Sequence, residues 1–158
     1  MGIGVDSHPF GPGRPLRLGG VTIDGAPSLA GHSDGDAALH AIADALLGAA
    51  ALGDLGRHHP ADERTPRGVA SGALLASIVE RLRDAGWQPE AVDLTIIAAR
   101  PRLADRLDAM RTAIAGVLGL SIGAVSVKAS TGNLSGDAGA GRSIEARAVA
   151  SVIPAGRP

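Results

Sequence analysis

The sequence predicts a single α/β domain, a sandwich in which a mixed β-sheet carries its helices on one face. Three observations lead there. Two-residue alternation marks strands near residues 2–8, 92–99, 125–131 and 144–152, and helical spacing of apolar residues fills most of the stretches between them. The resulting order is β, hairpin, α, α, β, α, β, β, with no internal repeat and no linker. At 158 residues the chain is long enough for one core of its own.

The first strand puts Ile3 and Val5 on one face, and the same alternation points Asp6 and His8 together. Gly/Pro residues 9–15 turn the chain. Residues 16–18 and 21–23 flank Gly19-Gly20 as a hairpin, and Asp24-Gly25 turns again. Ser33 with Asp36 three residues on has the form of a capping box, which predicts a helix from about Asp34 to the stop at Gly53. Asp36, His40 and Asp44 then share a helical face. Residues 54–60 read as a loop, in which the neighbouring His58 and His59 are poorly disposed to hold one ion. Thr65-Pro66 predicts the next helix start, with its stripe at Leu74, Leu75, Ile78, Val79 and Leu82. A strand at 92–99 ends before Pro101. Leu103, Leu107, Met110, Ile114, Val117 and Leu118 form the stripe of a third helix ending at Gly119. After the strand at 125–131 comes a Gly-rich loop, 132–141, then the last strand, then a frayed tail at 154–158.

The charge balance excludes several function classes. Fifteen basic and 16 acidic residues, with no Lys/Arg run, give no field toward nucleic acid or an anionic membrane. Cysteine is absent, so disulfides, thiolate metal sites and a Cys nucleophile are excluded. With no Tyr and single Phe and Trp residues, the core must be Ala, Val, Leu and Ile, a composition suited to close helix packing or to burial completed by oligomerisation. Nothing near Met1 has the form of a signal peptide, and no apolar run reaches spanning length, so a soluble cytoplasmic protein is expected.

The chemistry concentrates in residues 32–40, which hold two imidazoles and three carboxylate or hydroxyl partners at a helix start. That start offers unpaired N–H groups and a positive dipole end to a phosphate. Alone, Asp6-x-His8 is a weak signal for a ligand pair and reads first as a polar couple at a strand end. If Asp6, His8 and His40 meet in space, two imidazoles and one carboxylate leave zinc an open fourth position, as in a catalytic site. Such an ion acts as a Lewis acid on a phosphoryl oxygen, and phosphoryl transfer needs little beyond positioning and charge neutralisation. A phosphate monoester, largely dianionic at neutral pH, can itself be the nucleophile.

Residues 4–8 (Gly-Val-Asp-Ser-His), 32–36 (His-Ser-Asp-Gly-Asp) with His40, 44–50 (Asp-Ala-Leu-Leu-Gly-Ala-Ala) and 53–56 (Gly-Asp-Leu-Gly) resemble the 2-C-methyl-D-erythritol 2,4-cyclodiphosphate synthase family over nearly the whole chain. The resemblance implies a phosphorus–oxygen lyase of the non-mevalonate isoprenoid pathway, which closes a cyclic diphosphate and expels CMP. It implies zinc on Asp6, His8 and His40, with magnesium or manganese accompanying the substrate diphosphate. His32 and Ser33 would contact the phosphates, His32 also stabilising the transition state. Asp54, Leu55 and Gly56 would hold the erythritol hydroxyls. Ala98, Pro101, Arg102, Leu103 and Ala104 would form the cytidine pocket. Ser130, Thr131, Gly132 and Asn133 would surround the diphosphate, Thr131 with a catalytic role. The family is a homotrimer with active sites shared between neighbouring subunits. Asp44, one turn beyond His40, is either an outer carboxylate or a surface or subunit contact.

The departures cluster in one loop. Asn133 falls where the family usually carries a carboxylate for the second metal, Asp137 replaces an apolar residue, Ala140 an Arg, and Arg142 an acidic residue; elsewhere, His59 stands where Phe is common. Two other readings stay open at this point: a relative acting on a different CDP-linked or phosphorylated polyol, and a non-catalytic trimer that binds nucleotides or isoprenoid phosphates.

Overall fold

The computed structural model describes residues 1–156; the last two residues of the expected tail, 157 and 158, lie outside the described residues. Four strands make one mixed sheet in the order β1 (Gly2–Pro9), β6 (Ser143–Pro154), β4 (Trp87–Ile97), β5 (Val125–Ser130). The pairs β1–β6 and β4–β6 are antiparallel, and β4–β5 is parallel. A separate two-stranded ribbon, β2 (Leu16–Leu18) with β3 (Val21–Ile23), matches the expected hairpin. Helices α1 (Ala37–Ala49), α3 (Ser71–Asp84) and α4 (Leu107–Leu118) pack on one face, α1 over β1 and β6, α3 over β4, α4 over β5. The one-sided sandwich is therefore a single mixed α/β domain.

Alternation decides which side of the sheet is core. Val92, Leu94 and Ile96 of β4 and Ala146, Ala148 and Ala150 of β6 are buried under the helices, whereas Asp93, Arg147 and Val149 stand on the opposite, open face. In β1 the inward positions are Gly2, Gly4, Asp6 and His8, and the outward ones include Ile3 and Val5, which are 73% and 56% exposed. The inward glycines have a steric cause. A Cβ on Gly4 would sit 1.9 Å from the Ala41 carbonyl oxygen, and one on Gly2 would sit 2.2 Å from that of Ala45. Helix α1 thus lies directly on the β1 backbone.

Several boundaries differ from expectation, each for a local reason. The cap of α1 is Asp36, whose carboxylate accepts from Leu39 N at 3.1 Å, so the helix starts at Ala37 and Ser33 is left for other work. The same carboxylate accepts from Gly19 N and Gly20 N at 2.8 Å each and is 1% exposed, so the expected polar helix face is at Asp36 a buried tether to the hairpin. The helix ends at Ala49, short of Gly53. Ala51 adopts a left-handed conformation (φ 58°), and Leu52 N reaches back to Leu47 O at 2.9 Å while Ala51 N reaches Gly48 O at 3.2 Å, a Schellman closure without glycine. Residues 54–60 are not all loop: α2 (Leu55–His58) is one turn capped by Asp54. Thr65-Pro66 opens a turn and no helix, because Gly68 at φ 75° breaks the path, and α3 begins at Ser71. Strand β4 starts five residues early, at Trp87, and pairs with the far end of β6 through an irregularity at Pro89/Ala91, which places Pro154 in a strand. The third helical stretch is split, a single 3-10 turn at Ala104–Arg106 leading into α4, which closes on left-handed Gly119. Inside the Gly-rich loop lie a 3-10 turn, Gly132–Leu134, and the short helix α5 (Gly136–Gly139).

The packing of α1 on β1 generates a paired prediction. Gly4→Ala must push the helix off the strand, at a cost of about 3 kcal/mol, which lowers the melting temperature by roughly 6–12 °C for a domain of this size. Gly48→Ala, at a helical glycine whose added Cβ meets nothing within 4 Å, leaves the melting temperature unchanged or raises it by removing a poor helix former. Thermal unfolding followed by circular dichroism reads both.

Candidate metal centre and active site

The strand and the helix meet where β1 has passed its glycines. Asp6 Oδ2 lies 2.9 Å from His8 Nε2 and 3.0 Å from His40 Nδ1, and the two ring nitrogens are 3.3 Å apart. Tetrahedral ligands about 2.0–2.2 Å from an ion stand about 3.4 Å from one another. The three donor atoms are therefore already gathered to within a few tenths of that spacing. Among the described residues this is the group of three able to hold a metal ion, and His32, His58 and His59 are outside it. His58 Nε2 is bonded to Leu52 O at 2.9 Å, and His59 Nε2 to Ser77 Oγ at 2.7 Å.

Each imidazole of the group is held by its far nitrogen. His8 Nδ1 donates to Ala30 O at 2.7 Å, with Nε2 facing the centre. His40 Nε2 lies 3.0 Å from Ser33 Oγ and 2.9 Å from Ser71 Oγ, with Nδ1 facing the centre. Burial alone would raise the Asp6 carboxyl, but hydrogen bonds from His40 and His8 outweigh it and hold the group well below the usual carboxylate range. The Asp6 hydrogen bond in turn raises His8 above its ordinary value despite partial burial. The triad is thus a carboxylate held between two imidazole nitrogens.

A cleft of about 360 Å³ opens beside the triad, with His32, Ser33, Asp44, Leu55 and Gly56 among its walls. His32 is steadied by a hydrogen bond from Nε2 to the Thr65 carbonyl. Asp54 does not line the cleft: its carboxylate caps α2 by accepting from Arg57 N at 2.9 Å. Asp44 accepts from Leu55 N at 2.7 Å, so it positions the cleft wall. Burial pushes the Asp44 carboxyl up, and the Leu55 hydrogen bond opposes that rise.

A second cleft, of about 210 Å³, lies at the carboxyl ends of the parallel pair β4 and β5. Ala98, Pro101, Arg102, Leu103, Ser130 and Thr131 line it, and Ala104 opens the 3-10 turn behind. The two clefts share no lining residue, so His32 and Thr131 face different openings in one chain. Arg100, which does not line this cleft, donates from Nε to Gly141 O at 3.0 Å with its guanidinium 4.9 Å above the Phe10 ring. Gly132 and Asn133 follow Thr131 in the 3-10 turn. Asn133 is exposed and left-handed, and Asp137 and Arg142 pair with each other farther along the loop.

Two contributors to the first cleft have no signal of their own in the sequence. Thr65 acts through its carbonyl, which any residue has. Ser71 reads as an ordinary helix-start serine, and only the packing of α3 on α1 carries its hydroxyl to His40.

Comparison with known proteins agrees with this geometry. The YgbB family matches residues 1–153. A 2-C-methyl-D-erythritol 2,4-cyclodiphosphate synthase from Chromobacterium violaceum is 54% identical over 149 residues, 94% of each chain. A solved 2C-methyl-D-erythritol-2,4-cyclodiphosphate synthase in its CDP-bound form superposes with a TM-score of 0.83 at 34% identity, covering 96% of this chain and 99% of that one. The bifunctional IspDF from Campylobacter jejuni gives 0.92 at 34% identity, over 98% of this chain and 42% of that longer one. The chain belongs to the YgbB family, that of the 2-C-methyl-D-erythritol 2,4-cyclodiphosphate synthases.

Proposed function

We propose that the chain cyclises 4-diphosphocytidyl-2-C-methyl-D-erythritol 2-phosphate to 2-C-methyl-D-erythritol 2,4-cyclodiphosphate. The observation that carries this is the convergence of Asp6, His8 and His40 at the mouth of a cleft walled by His32 and Ser33. An oxygen of the 2-phosphate forms the new bond to the phosphorus that bears the erythritol O4. The bridging P–O bond of the diphosphate breaks, and its electron pair leaves on CMP. No enzyme nucleophile is needed, which suits a chain without cysteine and without a Ser-His-Asp constellation. The reaction class is that of a phosphorus–oxygen lyase, and the enzyme is cytoplasmic.

The residues divide the work. Asp6, His8 and His40 fit zinc, which when bound would supply Lewis acidity to a phosphoryl oxygen. Ser33 can donate its hydroxyl to a phosphate, and His32, fixed on the Thr65 carbonyl, presents its imidazole to the charge that develops during transfer. Leu55 and Gly56 offer an apolar wall and backbone groups to the methylerythritol, in a loop held by Asp44 and Asp54. The cleft at Ala98, Pro101, Arg102 and Leu103 suits the cytidine, with Ser130 and Thr131 beside the diphosphate.

We further propose that three copies assemble through the open sheet face. Ile3 sits opposite Val149 and Val5 opposite Arg147 on neighbouring strands, leaving apolar side chains exposed where a neighbour can cover them. The separation of the two clefts within one chain supports an active site completed by the adjacent subunit.

Four measurements test this reading. Following the substrate by phosphorus NMR should show the cyclic diphosphate with stoichiometric CMP. His40→Ala should drop bound zinc from about one per chain to near zero and slow CMP release by about 10³-fold, the several kcal/mol a Lewis acid contributes, whereas His58→Ala retains its zinc. Turnover of a different polyol only, or zinc retained by His40→Ala, would sink the proposal. In the ultracentrifuge the protein should sediment as a trimer and lose CMP release when Val5→Asp makes it monomeric; a stable, active wild-type monomer contradicts the shared site. At the loop, a neutral Asn133 oxygen binds magnesium or manganese more weakly than a carboxylate does. Asn133→Asp, which adds charge and tolerates the left-handed backbone, should lower the magnesium concentration for half-maximal activity several-fold. An unchanged magnesium requirement would place Asn133 away from that ion.

A further inference from the structure

Ser71 is the first residue of α3, where a serine hydroxyl ordinarily serves its own helix. Here the cap position is Ala70 and no side chain caps the helix. The Ser71 hydroxyl instead crosses to α1. It is 1% exposed, lies 2.9 Å from His40 Nε2 and donates to Asp34 Oδ1. Because that hydrogen is spent on the carboxylate, only the lone pairs of Ser71 Oγ face the imidazole. His40 Nε2 must therefore be the donor, and the ring that takes up an ion then offers it Nδ1, the nitrogen that faces Asp6 and His8.

We propose that Ser71 is a positioning residue for His40, the middle link of a relay that runs from His40 Nε2–H to the Ser71 hydroxyl to the Asp34 carboxylate. The inference rests on the reading of Asp6, His8 and His40 as the metal ligands. The relay settles which nitrogen of His40 is available to the ion and fixes the ring plane. It also releases Ser33. Two hydroxyls converge on a nitrogen that carries one hydrogen, Ser33 at 3.0 Å and Ser71 at 2.9 Å. With Ser71 as the acceptor, Ser33 Oγ, which already accepts from Gly35 N at 3.1 Å, keeps its own hydrogen for a ligand in the cleft. The two serines then have distinct tasks: Ser71 orients the metal ligand, and Ser33 meets the substrate.

The test measures zinc affinity by competition with a chromogenic chelator, apart from any turnover. Ser71→Ala should weaken zinc binding by about 10–100-fold, the usual effect of losing an outer partner of a ligand histidine, while the melting temperature of the zinc-free protein moves little. Asp34→Asn, at a half-buried position, should weaken it in the same direction. The double variant should lose no more than Ser71→Ala alone, since either change breaks the relay. Proton NMR of the zinc-loaded wild type should show the His40 Nε2–H as a slowly exchanging resonance that Ser71→Ala removes and Ser71→Thr restores. Zinc affinity within two-fold of wild type in Ser71→Ala, or additive losses in the double variant, overturns the relay. If Ser71→Ala does not fold, Asp34→Asn with the NMR signal decides by itself. Unchanged zinc affinity in His40→Ala would overturn the metal reading beneath it, a result distinct from failure of the relay alone.

Discussion

The contact on which the rest depends is backbone against backbone: helix α1 resting on Gly2 and Gly4 of β1 with no side chain between them. A helix normally stands off a sheet by the thickness of its side chains, about 10 Å between layers. Removing the Cβ atoms at two inward positions, and meeting them with Ala41 and Ala45, lets the helix settle closer. The inward face of β1 continues past the glycines as Asp6 and His8, and His40, the residue before Ala41 on the adjoining flank of α1, meets them there. The three-residue group therefore sits at the end of the close contact. The alternation that places glycine under the helix also places the ligands at its end.

A close contact at one end needs an anchor at the other, and Asp36 supplies it. Its carboxylate takes three backbone N–H groups, from Gly19 and Gly20 of the hairpin and Leu39 of the helix, inside the protein. Burial pushes this carboxyl up, and the three donors oppose the rise. The balance fixes the helix start relative to the hairpin one turn before His40. Rotation or sliding of α1 would have to break that cluster first, so the ligand on the helix is held from both directions.

The architecture was legible from residue order because alternating strands and striped helices announce themselves. The convergence of Asp6, His8 and His40 was legible because Asp6 and His8 share a strand face and His40 follows a helix start, and the family resemblance joined them. What sequence did not reveal follows one pattern. Asp36 looked like a partner in a capping box, since its tether to Gly19 and Gly20 spans 16 and 17 residues. The left-handed Ala51 ended α1 where glycine was expected at Gly53, because the Schellman bonds of Leu52 and Ala51 suffice without it. Thr65-Pro66 had the chemistry of a helix start and became a turn whose carbonyl holds His32. At Asp36 and Thr65 a local motif was present and a long-range hydrogen bond decided its use, whereas at Ala51 the bonds of the helix end itself did so.

The two histidines also show why a strand ligand and a helix ligand need different support. His8 lies on a strand at the edge of the sheet, next to a chain segment whose carbonyl at Ala30 is within reach, so the backbone itself fixes its ring. His40 has no such option. The carbonyls around it on α1 are committed to the helical ladder, and a buried imidazole N–H left without an acceptor costs about 1–3 kcal/mol. The acceptor must then come from a side chain on another element, short enough to fit beneath a packed helix. Serine meets both conditions, and the packing of α3 on α1 delivers Ser71. A hydroxyl can also pass the interaction on, which carbonyls cannot, and so the half-buried Asp34 is connected to the His40 imidazole without touching it.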